Sequence, residues 1–187
     1  MKAVFINGSP RPDSASNTYK ALMAERDFFK KRAMETSEDF SCEYLKIPSD
    51  FSGCIGCNSC SSLSPYCSQQ NNQSFLENTI DTIRPATDII LGSPVYLDLP
   101  TPQVVAFLTR LNCMAETTDR EFFRGKNMWL VSVSFCSGTK TCIHALMGAT
   151  EMLGFTLPGR GSREYIFKWD DKKLRGGMRR KDQIFLD

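Results

Sequence analysis

Four cysteines, Cys54, Cys57, Cys60 and Cys67, stand in a C-x₂-C-x₂-C-x₆-C run. Two-residue gaps let successive thiolates turn toward one centre, and four thiolates complete a [4Fe–4S] site. Structural zinc also takes four thiolates, usually from two C-x₂-C pairs separated by a longer stretch. Three closely spaced thiols fit a cubane better; zinc and plain redox-active thiols are the other uses of the same residues. The remaining cysteines carry weaker signals. Cys42 falls in a strand pattern and Cys113 at a helix end, which reads as two small core residues. Cys136 and Cys142 lie near a helix start, where a thiol gains acidity.

A second constellation suits a phosphate. Asn7-Gly8-Ser9-Pro10-Arg11 leads into Ser14, Ser16, Asn17 and Thr18, which open a helical stretch. Helix N-termini present unpaired N–H groups and a positive dipole end, and hydroxyls add donors. Gly8 permits a close backbone turn, and Arg11 supplies a full charge. The Gly-Lys-Ser/Thr ending of a Walker A loop is missing, and so is the three-glycine dinucleotide fingerprint. An ordinary strand-to-helix turn capped by Ser and Asn would read the same way.

A third loop, Gly92-Ser93-Pro94-Val95-Tyr96, can offer backbone amides and one flat apolar face to a planar heterocycle, with Tyr96 against the ring. Ser134-Phe135-Cys136-Ser137-Gly138 is the expected third wall, with Ser134 and Gly138 as its contacts. His144 is the sole histidine, and no Ser–His–Asp set or H-E-x-x-H motif accompanies it.

These loops need a frame. Near-continuous apolar runs at Lys2–Asn7, Cys42–Ile47, Asp88–Gly92, Met128–Ser134 and Glu164–Phe167 read as strands. Helical spacing covers about Ser16–Met34, Leu76–Ile83 up to Pro85, Pro102–Cys113 and Thr141–Leu153. Strands alternating with helices predict a three-layer α/β fold around a five-stranded parallel sheet. In such a sheet, ligands sit outside the carboxyl ends of the strands, where strand order reverses.

The stretches Asn7–Arg11 with Ser16-Asn17-Thr18, and Ser93-Pro94-Val95-Tyr96 ahead of a helix, resemble the NAD(P)H-dependent FMN reductases. The added cysteine loop resembles the iron–sulfur flavoprotein branch of that group. The resemblance covers roughly residues 1 to 155. It implies a flavodoxin-like sheet of order 2-1-3-4-5 and FMN as cofactor. It further implies Ser9, Arg11, Ser16, Asn17 and Thr18 around the phosphate, and Pro94, Val95, Tyr96, Ser134 and Gly138 around the ring. Cys54, Cys57, Cys60 and Cys67 would hold a [4Fe–4S] cluster. NAD(P)H is the implied electron donor, with a small molecule or protein as acceptor, and a homodimer or homotetramer as the assembly. After Cys67 comes Gln69-Gln70-Asn71-Asn72, where such relatives often carry acidic residues. An electron carrier of flavodoxin or ferredoxin type, and a redox sensor signalling through the thiols, are the competing readings.

Composition sets the outer bounds. A chain of 187 residues suits one domain. The expected division is a flavodoxin-like domain over residues 1–167, with a cysteine-rich loop at 50–72, and a basic tail over 168–187. A net charge of +2 argues against nucleic acid or an anionic membrane as partner. No apolar run reaches the roughly 20 residues of a membrane span. Met1 leads straight into a strand pattern rather than a signal sequence, so the expected location is cytoplasmic.

Overall fold

The computed structural model describes residues 1–61, 67–116, 121–159, 162–170 and 175–182. Its centre is a sheet in which β1 (Lys2–Asn7) lies between β2 (Ser41–Lys46) and β3 (Asp88–Tyr96). Next to β3 comes β5 (Asn127–Ser134), then β6 (Ser162–Asp170). These five strands are parallel, and in their own succession they follow the flavodoxin order expected from the sequence. The two-residue β4 (Leu99–Pro100) folds back antiparallel on the end of β3, and β7 (Arg175–Asp182) runs antiparallel along β6.

Alternation along the strands decides which helix covers which face. Val4, Ile6, Ile89, Leu91, Met128 and Leu130 point to one side. There they meet α2 (Gln73–Ile83), α3 (Pro102–Glu116) and α4 (Thr139–Met152). Ala3, Phe5, Ile90, Trp129 and Val131 point to the other side, against Ala21, Leu22 and Phe29 of α1 (Asn17–Glu35). The stripe Val104, Phe107, Leu108 and Leu111 of α3 is buried throughout. Each such side chain contributes roughly 1.5–3 kcal/mol on leaving water. Among the described residues no helix is long and apolar enough to cross a membrane.

Three local readings change. Pro94-Val95-Tyr96 is the end of β3 rather than a loop, because Pro94 still pairs with Val133 and the chain then turns back into β4. The turn, Leu97-Asp98, has φ of 50° and 63°, the geometry that matches a hairpin's twist. Cys42 is exposed, since β2 is an edge strand, and only Cys113 of the two supposed core cysteines is buried. The expected boundary at 167/168 falls inside β6, and part of the supposed tail forms β7. Charges and Gly176-Gly177 are poor strand signals, but pairing with β6 over Arg163–Asp170 satisfies that strand's outer amides and carbonyls.

Candidate functional site

The carboxyl ends of β1, β3 and β5 bring the three predicted loops together. After Asn7 a short 3-10 turn, Asp13–Ala15, leads to Ser16, which caps α1 by accepting from Tyr19 N at 3.1 Å. The amides of Asn17 and Thr18 precede the first intrahelical donor, Lys20 N, which bonds Ser16 O. That leaves the first-turn N–H groups at the helix head for an anion. Ser9, Ser16 and Thr18 are buried, Asn17 is half-buried, and Arg11 is exposed.

A network that sequence reasoning missed holds this loop. Asp13 Oδ1 accepts from Asn7 Nδ2 (3.1 Å), Tyr44 OH (2.8 Å) and Lys46 Nζ (3.1 Å). Asn7, fully buried, accepts Ser9 N through Oδ1 at 2.9 Å. Burial raises the Tyr44 phenol above its ordinary pKa, and Asp13 adds to that, so the hydroxyl stays a donor. Lys46 offsets the Asp13 charge and also donates to the Arg11 carbonyl. Tyr44 and Lys46 come from β2, a strand with no motif of its own.

The first and second loops are tied by backbone. Gly8 N donates to Gly92 O at 2.8 Å, and Thr101 Oγ1 donates to Gly8 O at 2.9 Å. Thr101 N in turn donates to Ser93 Oγ at 3.1 Å. A Cβ at Gly8 would meet Val104 Cγ2 at 2.0 Å, so only glycine fits between β3 and α3. Pro94 and Val95 are half-buried, and Tyr96 stands 45% exposed. In the third loop Gly138 (φ +82°) precedes α4 and packs on Asp98. Ser134 Oγ is buried there without a hydrogen-bond partner. First-turn amides, flanking hydroxyls, close backbone and an orphaned buried hydroxyl suit a phosphorylated planar cofactor.

The cysteine run also converges. Cys54, Cys57, Cys60 and Cys67 wall one cavity of about 320 Å³, and Cys113 and Arg110 from α3 close it. Cys67 N–H bonds the Cys113 thiol. Among the described residues no three such side chains are drawn into metal-binding geometry, although the donor set is that of a tetrathiolate centre. Cys57, fully exposed, has its pKa lowered to about 7 by hydrogen bonds, first from the Ser59 hydroxyl and then from Ser68. Burial pushes Cys60 up, and Cys113 up to about 11. Cys142 is likewise raised by burial, against the acidity expected near a helix start. Cys113 and Arg110 could have been found from their helical spacing on α3 once its buried face was known.

Beside this cavity a larger apolar groove of about 980 Å³ runs between α3 and α4, past Val105, Ala149 and Met152. Cys54, Thr109 and Asn112 line both spaces.

Residues 1–163 match the family described as NADPH-dependent FMN reductase. Similar solved structures include RosB with a bound 8-demethyl-8-formylriboflavin-5'-phosphate intermediate, at 15% identity and a TM-score of 0.65. That match covers 89% of this chain and 65% of RosB, so the chain spans just under two thirds of that protein. The NADH:FMN oxidoreductase EMOB, in its apo form, matches at 15% identity and a TM-score of 0.55, over 89% of this chain and 75% of that one. An azoreductase from Bacillus anthracis str. Sterne matches at 9% identity and a TM-score of 0.57, over 89% and 86%. At these identities the likeness shows the fold. No curated protein sequence matches the chain.

Proposed function

Since the chain belongs to the NADPH-dependent FMN reductase family, we propose that it is an FMN-dependent oxidoreductase that takes electrons from NAD(P)H and passes them to an acceptor. The observation that carries this reading is the convergence of the three loops at the carboxyl ends of β1, β3 and β5. FMN, when bound, supplies the hydride-accepting and electron-transferring chemistry that no side chain of the site offers. Arg11, Ser9, Ser16, Asn17 and Thr18 hold its phosphate with charge-assisted bonds and first-turn amides. Pro94, Val95 and Tyr96 flank the ring on one side, and Ser134 and Gly138 close the other. The Asp13–Lys46–Tyr44 network keeps the phosphate loop in shape without adding net charge.

The cavity of Cys54, Cys57, Cys60 and Cys67 carries a [4Fe–4S] cluster in this proposal, in line with its two short gaps and its shared wall. All eight cysteines are free thiols, which accords with a reducing, cytoplasmic setting. The apolar groove between α3 and α4 supports self-association as a homodimer or homotetramer.

The test is an absorption spectrum with iron and sulfide assays on protein purified without oxygen, followed by NADH and NADPH oxidation with a quinone acceptor. Flavin bands with rapid NAD(P)H oxidation support the reductase. Flavin with slow NAD(P)H turnover but fast exchange with a ferredoxin replaces it by an electron carrier. Protein that takes up no added FMN overturns it. About four irons per chain, the content of one cubane, support the cluster, and flavin without iron removes it.

A further inference from the structure

The side chain of Arg110 is 1% exposed. Its guanidinium donates to the carbonyls of Asn71 and Gln69 (3.0 Å for Gln69) and to Gln73 Oε1 at 3.1 Å, all neutral acceptors. Its face lies 5.0 Å from the centroid of the Phe51 ring. Nε is buried with no hydrogen-bond partner. Among the described residues no carboxylate forms an ion pair with it. Neutral carbonyls and a ring spread a buried charge but do not cancel it, and buried charges are retained where something opposite faces them.

The thiol cavity adjoins Arg110. Arg110 forms part of its wall together with Cys54, Cys57, Cys60, Cys67 and Cys113. Four thiolates around either a zinc ion or an oxidised cubane leave a doubly negative centre, and reduction of a cubane adds one more negative charge. Low dielectric strengthens any attraction across such a wall.

We propose that Arg110 is the built-in counter-charge of an anionic metal–thiolate centre in this cavity, holding the centre in place and favouring its reduced state. The proposal rests on the cluster reading above. Arg110 touches no reacting atom. It acts as a positioning charge in the cavity wall, and the same guanidinium staples residues 69–73, just after Cys67, to α3.

The test uses full-length protein, reconstituted with ferrous iron and sulfide under anaerobic conditions, as wild type, Arg110→Gln and Arg110→Lys. Bound FMN per chain reports folding. The readouts are the rate of iron loss to a chelator and the cluster midpoint potential. The expected result is iron loss about tenfold faster and a lower midpoint potential in Arg110→Gln at unchanged FMN content, with both restored toward wild type in Arg110→Lys.

Equal iron retention and an equal potential in all three overturn the counter-charge while leaving the cluster reading intact. Wild type that takes up FMN but no iron overturns both. If Arg110→Gln does not fold, Arg110→Lys decides. It keeps the charge but cannot span two carbonyls and Gln73, so wild-type iron retention supports the charge role. Rapid iron loss in Arg110→Lys leaves only a staple and overturns the proposal.

Discussion

Gly138 sits so close to Asp98 that a Cβ on it would fall 2.0 Å from Asp98 Oδ1 and 2.9 Å from Asp98 Cα. The loop after β5 therefore rests directly on the β3–β4 turn. Gly138 also has φ +82°, a conformation costing an L side chain about 1–2 kcal/mol. Gly138→Ala is expected to part the loops and weaken FMN binding at least tenfold, read by quenching of flavin fluorescence. Binding as tight as wild type would mean that this wall does not touch the cofactor.

Gly8→Ala places a methyl group on Val104 Cγ2 and within 2.9 Å of the Gly92 carbonyl. Overpacking of this kind costs about 1–3 kcal/mol, measurable as a lower urea midpoint. Adding Val104→Ala removes the first clash but not the second. The double variant should therefore recover part of what the two single losses would sum to, a non-additivity expected of residues in contact. Strict additivity would contradict the clash.

Arg11 and Asn17 are assigned to the phosphate end of FMN. Replacing both by alanine removes two charge-assisted contacts, each of roughly 1.5–3 kcal/mol. FMN affinity should fall by about a hundredfold or more, while riboflavin, which lacks the phosphate, binds as before. Calorimetric titration with both ligands separates the cases: equal losses for the two would place the phosphate elsewhere.

Cys57 is the thiol with the lowered pKa, about 7, held there by Ser59 and then Ser68. Because its pKa is depressed, the nucleophilic thiolate dominates above about pH 7 and is lost by protonation below it. In metal-free protein, alkylation of Cys57 by iodoacetamide should reach half its plateau rate near pH 7. Ser59→Ala should move that midpoint upward, toward an ordinary cysteine. Cys113, buried and pushed up to about 11, should stay unlabelled at neutral pH. Mass spectrometry of tryptic peptides tells the two apart.

The parallel sheet and its covering helices were legible because their apolar periods are long and uninterrupted: Lys2–Asn7 and the α3 stripe needed no tertiary information. The Ser16 cap of α1 was legible for the same local reason, since capping and turn residues declare themselves in sequence. Asp13, Tyr44 and Lys46 were not, because their meeting depends on β2 lying beside β1. Arg110 was not singled out, because its burial depends on where α3 docks. Cys42 failed in the opposite sense, as an apolar residue on a strand that the fold leaves at an edge. The strands beyond Phe167 escaped because glycines and charges hide a pairing fixed by the neighbouring strand's free edge.

That pairing has a mechanical consequence. β6 is joined to β5 only as far as Ile166, but to β7 as far as Asp170. Among the described residues, the stretch from Phe167 to Asp170 pairs with β7 alone, so it leaves the sheet as a two-stranded beam. At about 3.3 Å per residue, the beam overhangs by roughly 13 Å, on the same end of the sheet as the three loops. Its β6 edge therefore lies beyond the reach of β5.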